Sequence, residues 1–152
     1  MRYLVLSDVH ANLEALAAVI DAAAGEWDQV LVLGDLVGYG ADPNAVIDRV
    51  RALPVAAIVR GNHDKVAAGL APVDSFNHVA GQAIERTTGV LTPANLQWLA
   101  AMPQGPAEID ALTEICHGAP WDEDAYLFDE RDVERARPVQ SRPLCLFGHT
   151  HV

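Results

Sequence analysis

Val30-Leu31-Val32-Leu33-Gly34-Asp35 is the stretch that decides the fold. Consecutive Val and Leu residues read as a strand buried on both faces, because a half-exposed strand would alternate apolar with polar positions. Such a strand has no place along its length for a charge. Asp35 therefore belongs at the carboxyl end, where open α/β sheets put their ligand crevices. Gly34 removes a side chain just before that carboxylate and lets something approach the backbone closely. Four other strand-like runs also end in Asp, Asn or His, and Asp35 is the centre on which they converge.

Working outward, residues 2–6 read as a first buried strand that ends in Ser7-Asp8-Val9-His10. Asn12 is a suitable N-cap for a helix over 13–24, with Leu13, Leu16, Ala17 and Ile20 at helical spacing and Gly25 as the stop. After Asp35 comes a glycine-rich loop, 36–42, and then Asp42-Pro43 opens a second helix that runs to about Leu53. A short third strand over 56–59 is followed by Arg60-Gly61-Asn62-His63-Asp64 and a helical region over 65–71. This β-loop-α pattern occurs three times, which predicts a parallel sheet with helices on its faces and these strands as neighbours.

Asn77 and Thr92-Pro93 mark the starts of two further helices. Residues 114–116 read as a strand ending in His117-Gly118, and residues 121–128 as a loop. Asp129 caps a short helix to Ala136, and the strand 144–147 ends in Gly148-His149-Thr150-His151. There is no internal repeat and no linker, so residues 1–152 read as one domain.

The bulk numbers bound the function. Half of the 152 residues are apolar, which suits a folded domain with a core. A formal net charge of −11 argues against general affinity for nucleic-acid backbones or anionic membranes. Metal ions reverse such a sign locally, so a phosphate substrate stays open. The apolar runs are far shorter than a membrane span, and Met1-Arg2 leads straight into a strand without a signal-peptide pattern. With only Cys116 and Cys145 a disulfide scaffold is not expected, and a cytoplasmic location is.

The polar residues at the strand ends are Asp8, His10, Asp35, Asn62, His63, His117, His149 and His151. Carboxylate, imidazole and amide together suit borderline divalent metals. A single Asp-x-His is a weak signal and a lone histidine is usually a satisfied core or surface residue, but five of the six histidines fall at strand ends or in the turn beyond. Asp35 is central enough to bridge two ions.

Taken in order, Asp8-x-His10, Gly34-Asp35, Gly61-Asn62-His63-Asp64, His117-Gly118 and Gly148-His149-x-His151 resemble the motif set of the calcineurin-like metallophosphoesterases. The stretch 34–44 looks like a bacterial phosphodiesterase branch of that family. The resemblance implies a layered α-β-β-α sandwich with mixed sheets and a centre of two divalent metal ions, manganese first, with iron, zinc, nickel or magnesium as other fits. Asp8, His10, Asp35 and His151 would hold one ion, and Asp35, Asn62, His117 and His149 the other. His63 would face the substrate as general acid, with Asp64 raising its pKa or orienting its ring; the plainer role of Asp64 is a helix N-cap.

Two features depart from the wider family pattern. The Asp-Arg-Gly of the protein serine/threonine phosphatases is replaced here by Gly38-Tyr39-Gly40, and Asp64 stands where they carry Glu. A phosphoprotein substrate is therefore disfavoured. Family members also continue past Gly-His-x-His with strands that complete the second sheet, so an exposed apolar surface or an unpaired edge is expected beside 144–147.

The activity implied is hydrolysis of a phosphodiester of a small organic phosphate or nucleotide. The alternatives are a phosphomonoesterase, a dinucleotide polyphosphate hydrolase, or a binding scaffold without catalysis. Arg60 and Tyr39 are candidates to touch the substrate, and Asn44 to shape its choice. Trp121, Tyr126 and Phe128 fit either a pocket wall or core packing. Cys116 and Cys145 read as small buried strand residues, and His78 as a surface residue.

Overall fold

The computed structural model describes residues 1–151, apart from the side chain of Ser75. The chain runs β1 (Tyr3–Leu6), α1 (Leu13–Ala22), β2 (Gln29–Val32), α2 (Pro43–Arg51), β3 (Val55–Ile58) and α3 (Asn62–Ala67). It continues through α4 (His78–Val90), α5 (Pro93–Ala100), β4 (Ala107–Glu108), β5 (Thr113–Ile115), α6 (Glu130–Ala136) and β6 (Leu144–Leu146). The helix starts follow the expected chemistry: the side chains of Asn12, Asn77, Thr92 and Asp129 each accept a backbone N–H in the first turn behind them. Pro43 occupies the first position of α2, although the Asp42 side chain makes no cap bond.

Two three-stranded sheets result. The first has the order β1-β2-β3 and is wholly parallel, as the repeated βα pattern predicts. The second, β4-β5-β6, pairs β4 antiparallel and β6 parallel to β5, with α6 in the crossover between β5 and β6. Strand β4 was not foreseen, because two residues are too few to show a period.

The run that decided the fold explains the layers. Val30 and Val32 join a core with Leu16 and Ile20 of α1 and Val46 and Val50 of α2. Leu31 and Leu33 point the other way and pack with Ile115 of β5 and Leu146 of β6. Both faces of β2 are thus covered, by helices on one side and by the second sheet on the other. The edge strand β1 is less buried than its sequence predicts, with Val5 44% exposed; at the edge β6 Leu144 is 50% exposed, which is the apolar exposure expected beside 144–147.

Several boundaries differ from the sequence reading: β3 and β5 each begin one residue earlier, which leaves Cys116 just past β5, and two helix boundaries move further. The helix expected from Lys65 begins at Asn62, so Asn62, His63 and Asp64 form its first turn. Helix α1 ends at Ala22, and Gly25 turns the chain in a left-handed conformation three residues later.

Candidate metal centre

The loops after β1, β2, β3, β5 and β6 meet at one end of the two sheets. Backbone bonds join the first two loops: the N–H groups of Asp8, His10 and Ala11 donate to the carbonyls of Gly34, Asp35 and Leu36 at 3.1, 2.9 and 2.8 Å. Gly34 answers the question raised by its sequence. A Cβ there would lie 2.8 Å from Cα of Gly61, so what approaches is the backbone of the third loop. The fourth and fifth loops are tied by Gly148 N–H donating to His117 O at 2.8 Å, and His149 N–H donates to Asp8 Oδ2 at 3.0 Å.

Among the described residues, the non-glycine positions with left-handed φ are Asp8, His10, Ala11, Asp35, Tyr39, His149 and His151. All seven lie in these loops. Such conformations cost free energy and persist only where surrounding bonds over-determine them. The chain bends its backbone here to aim side chains inward, and periodicity or propensity gives no sign of it.

The side chains converge as three overlapping ligand groups. Asp8, His10 and His151 form one, His10, Asp35 and His63 a second, and Asp35, His117 and His149 a third. Asp35 is 1% exposed and belongs to two of them. Its Oδ2 lies 3.7 Å from His10 Nε2 and 3.4 Å from His117 Nε2, which puts it between the two halves. Asn62 Oδ1 is 3.1 Å from His117 Nε2, and His151 Nε2 is 3.0 Å from Asp8 Oδ1.

The donor chemistry fits cations. His10 Nδ1 is 3.1 Å from the carbonyl of Val37, and His117 Nδ1 is 2.7 Å from that of Leu33. A carbonyl accepts only, so each Nδ1 carries a proton and each Nε2 faces the cluster, where once deprotonated it offers its lone pair to a cation. His10 Nε2 also faces His151 Nε2 at 3.4 Å. Lone pairs, carboxylates and an amide oxygen aimed at one another require positive charge between them. In the metal-free protein a proton on His117 supplies part of it. Burial alone would lower its pKa, but the hydrogen bond and charge of Asp35, with the Leu33 carbonyl and Asp8, hold it at about 9.

His63 stands differently. Burial, opposed by Asp35 and reinforced by the neighbouring histidines, lowers its pKa to about 4, so its ring is neutral without metal. Its Nδ1 is buried against Gly38 with no hydrogen-bond partner among the described residues. Phe76 packs edge-on against the ring at 4.6 Å, and Tyr39 lies 4.8 Å away. The backbone N–H of His63 donates to Asp35 Oδ1 at 2.9 Å, which ties the first turn of α3 to the central carboxylate.

Asp64 does not pair with the His63 ring, contrary to that part of the sequence reading. Its Oδ1 accepts from Val37 N–H at 3.1 Å and its Oδ2 from Gly61 N–H at 3.0 Å. Full burial and the charge of Asp35 raise its pKa to about 7, partly offset by those two N–H groups. Nor is Asp64 the N-cap: Gly61 holds that position, and Asp64 reaches back from the first turn of α3 to accept its N–H while bracing the loop after β2.

Arg60 does not face the centre as a free cation either: its Nε and Nη2 donate to Glu123 at 3.0 Å each. Asn44 is corrected as well. It bonds Val90 O, Thr92 N–H and Asn95, and so joins α2 to the junction of α4 and α5. Tyr39 does line the site, edge-on to His10 at 4.8 Å. Tyr126 stacks on His149 at 3.9 Å and Phe128 on Tyr126 at 5.2 Å, while Trp121 lies under Arg135. The thiols of Cys116 and Cys145 are free, and Cys116 is buried. His78 is exposed. The cluster of Arg60, Lys65, Glu123 and Asp124 escaped the sequence reading, because residues 121–128 show no periodic pattern that would place those carboxylates.

No helix among the described residues is long and apolar enough to cross a membrane. The chain is similar to known proteins over its whole length. It is 40% identical to an uncharacterized protein of Methanocaldococcus jannaschii, over 97% of this chain and 61% of that protein. It is 40% identical to a metallophosphoesterase from Sphaerobacter thermophilus whose crystal structure superposes with a TM-score of 0.84, over 100% of this chain and 61% of that one. A hypothetical protein from Pyrococcus horikoshii OT3, 20% identical, shares the fold with a TM-score of 0.79 over 96% of this chain and 68% of its own. The chain thus spans about three fifths of the length of the first two relatives. A sequence model described as calcineurin-like phosphoesterase matches residues 1–152, and with these likenesses the ring of candidate ligands around Asp35 finds its place: the chain belongs to the calcineurin-like phosphoesterase family.

Proposed function

We propose that the protein is a phosphodiesterase that holds two divalent ions, manganese first, and hydrolyses a small organic phosphodiester. The observation that carries this reading is the sharing of Asp35 between ligand groups on either side of it. Asp8, His10, Asp35 and His151 would hold one ion, and Asp35, Asn62, His117 and His149 the other. Two ions held there would lower the pKa of a bound water, making hydroxide available near neutral pH, and would neutralise charge on the phosphate.

The chain's own residues do the rest. The carbonyls of Val37 and Leu33 orient His10 and His117 with their Nε2 atoms inward. Tyr126 holds the plane of His149. His63 stands beside the centre with Nδ1 enclosed, which leaves Nε2 as the atom that gives a proton to the leaving alkoxide. A phosphate anion beside the ring favours the protonated form that burial disfavours. Asp64 keeps His63 in place through the backbone, as a positioning residue. A substrate contact of Arg60 would have to compete with Glu123, so Tyr39 is the better candidate. The free thiols fit a reducing cytoplasm.

Turnover of bis-p-nitrophenyl phosphate against p-nitrophenyl phosphate by the manganese-loaded protein tests the reading. Preference for the diester is expected. Faster hydrolysis of the monoester would favour a phosphomonoesterase, and metal binding without turnover of either would favour a scaffold.

A further inference from the structure

Beside the metal centre, a cavity of about 340 Å³ opens between the first turn of α3, the segment before α4 and the loop after β5. It shares Asn62, His63 and His149 with the smaller cleft at the candidate metal ligands, so a group placed in it lies next to whatever reacts there. Its volume is at the low end of small-molecule sites, large enough for one ring system.

Its walls are of two kinds. Tyr39, Phe76 and Tyr126 present rings, and Val66, Pro72 and Ala80 present aliphatic surface. The rings are held in place: Phe76 stands edge-on against His63 at 4.6 Å, and Tyr126 is sandwiched between His149 and Phe128. Fixed ring faces and edges favour a flat aromatic guest over a flexible aliphatic one.

The charged rim is already neutralised. Lys65 Nζ lies 2.7 Å from Asp124 Oδ1 and 3.1 Å from Glu123 Oε1, and Glu123 is also the partner of Arg60. Two cations and two carboxylates leave no uncommitted positive charge for a second phosphate. This separates a diester with an uncharged substituent from a polyphosphate chain. At the edge, Asn77 commits Oδ1 to the N–H groups of Val79 and Ala80, which leaves its amide N–H₂ to meet a heteroatom on a ring.

We propose that this cavity is the specificity pocket for the ester group next to His63, and that the group is a flat, uncharged aromatic ring of up to nucleobase size. The proposal rests on the phosphodiesterase reading and adds the class of substituent to it.

The test is calorimetric and uses two non-hydrolysable diester mimics of equal charge, dimethylphosphinate and benzyl(methyl)phosphinate, with the manganese-loaded protein. The benzyl compound should bind about tenfold tighter or more, as burial of a phenyl ring implies. Phe76→Ala should narrow that ratio by roughly three- to tenfold, the worth of an aromatic contact. Phe76→Leu should narrow it less, and it decides the matter if the alanine variant does not fold. Equal binding of both mimics by the parent would overturn the pocket and leave the phosphodiester reading intact. A ratio that Phe76→Ala and Phe76→Leu leave unchanged would also overturn the pocket. Binding of neither mimic by protein with measured metal content would overturn both proposals together.

Discussion

Replacing Gly61 by alanine probes the packing that sets the central carboxylate. Gly61 has φ −98° and ψ 176°, a conformation open to any residue, so backbone strain plays no part. The obstacle is space. A Cβ at residue 61 would stand 2.5 Å from the backbone nitrogen of Asp35 and 2.7 Å from its Cγ, and closer still to its Oδ1. Ordinary contact needs about 3.5 Å, so the loops must move apart by about an ångström or more. Asp35 Oδ1 accepts from His63 N–H, and Gly61 N–H donates to Asp64 Oδ2, so the shift loads two buried bonds. Overpacking of this kind costs about 1–3 kcal/mol. Loss of one hydrogen bond to a charged group adds about 1.5–3 kcal/mol. A total near 4 kcal/mol lowers Tm by about 8–16 °C in a chain of this size.

The assay is a thermal melt of the metal-free protein, followed by metal analysis of the loaded one. The variant should also hold less than the parent's complement of metal. Gly89→Ala is the control: it lies in α4, a Cβ there meets nothing within 4 Å, and the helix should gain a few tenths of a kcal/mol up to about 1 kcal/mol. A Gly61→Ala protein that melts within about a degree of the parent and holds its full complement of metal would refute the reasoning.

Three further outcomes are expected. Asp35→Ala should abolish binding of the ion pair, whose members should lie about 3.5–4 Å apart in the parent; retention of two ions, by elemental analysis, would remove Asp35 from the bridge. His63→Asn should keep the metal and lower turnover of a diester with a poor alkoxide leaving group by roughly a hundred- to ten-thousand-fold, with a smaller loss for p-nitrophenolate. Equal losses on both substrates together with lost metal would make His63 a ligand. Asp129→Ala removes the cap that accepts from Arg131 and Asp132 N–H and should lower stability by about 1 kcal/mol in denaturant melts, leaving metal content untouched; a loss of metal would show that α6 supports the site.

The sequence by itself determined the parallel arrangement of β1, β2 and β3, since three apolar runs each followed by a helix admit few other topologies. It also singled out the strand-end residues that the fold brings together. Chemistry-bearing side chains on buried strands can stand only at the ends, and Asp8, His10, Asp35, His117, His149 and His151 all do. Only the tertiary structure decided what long-range partners decide. Arg60 looked free until Glu123, 63 residues away, was seen to occupy its guanidinium. Asp64 looked like a partner for the adjacent histidine until Val37 and Gly61 claimed both of its oxygens. Asn44 looked close to the centre until its bonds to Val90 and Thr92 turned it into a brace. The aromatic cavity likewise joins Phe76 to Tyr39 and Tyr126, from three separate connections. Strand ends are a local property, written in the apolar pattern around them. Which polar group satisfies which other is settled by packing, because a buried charge takes the nearest partner in space rather than in sequence.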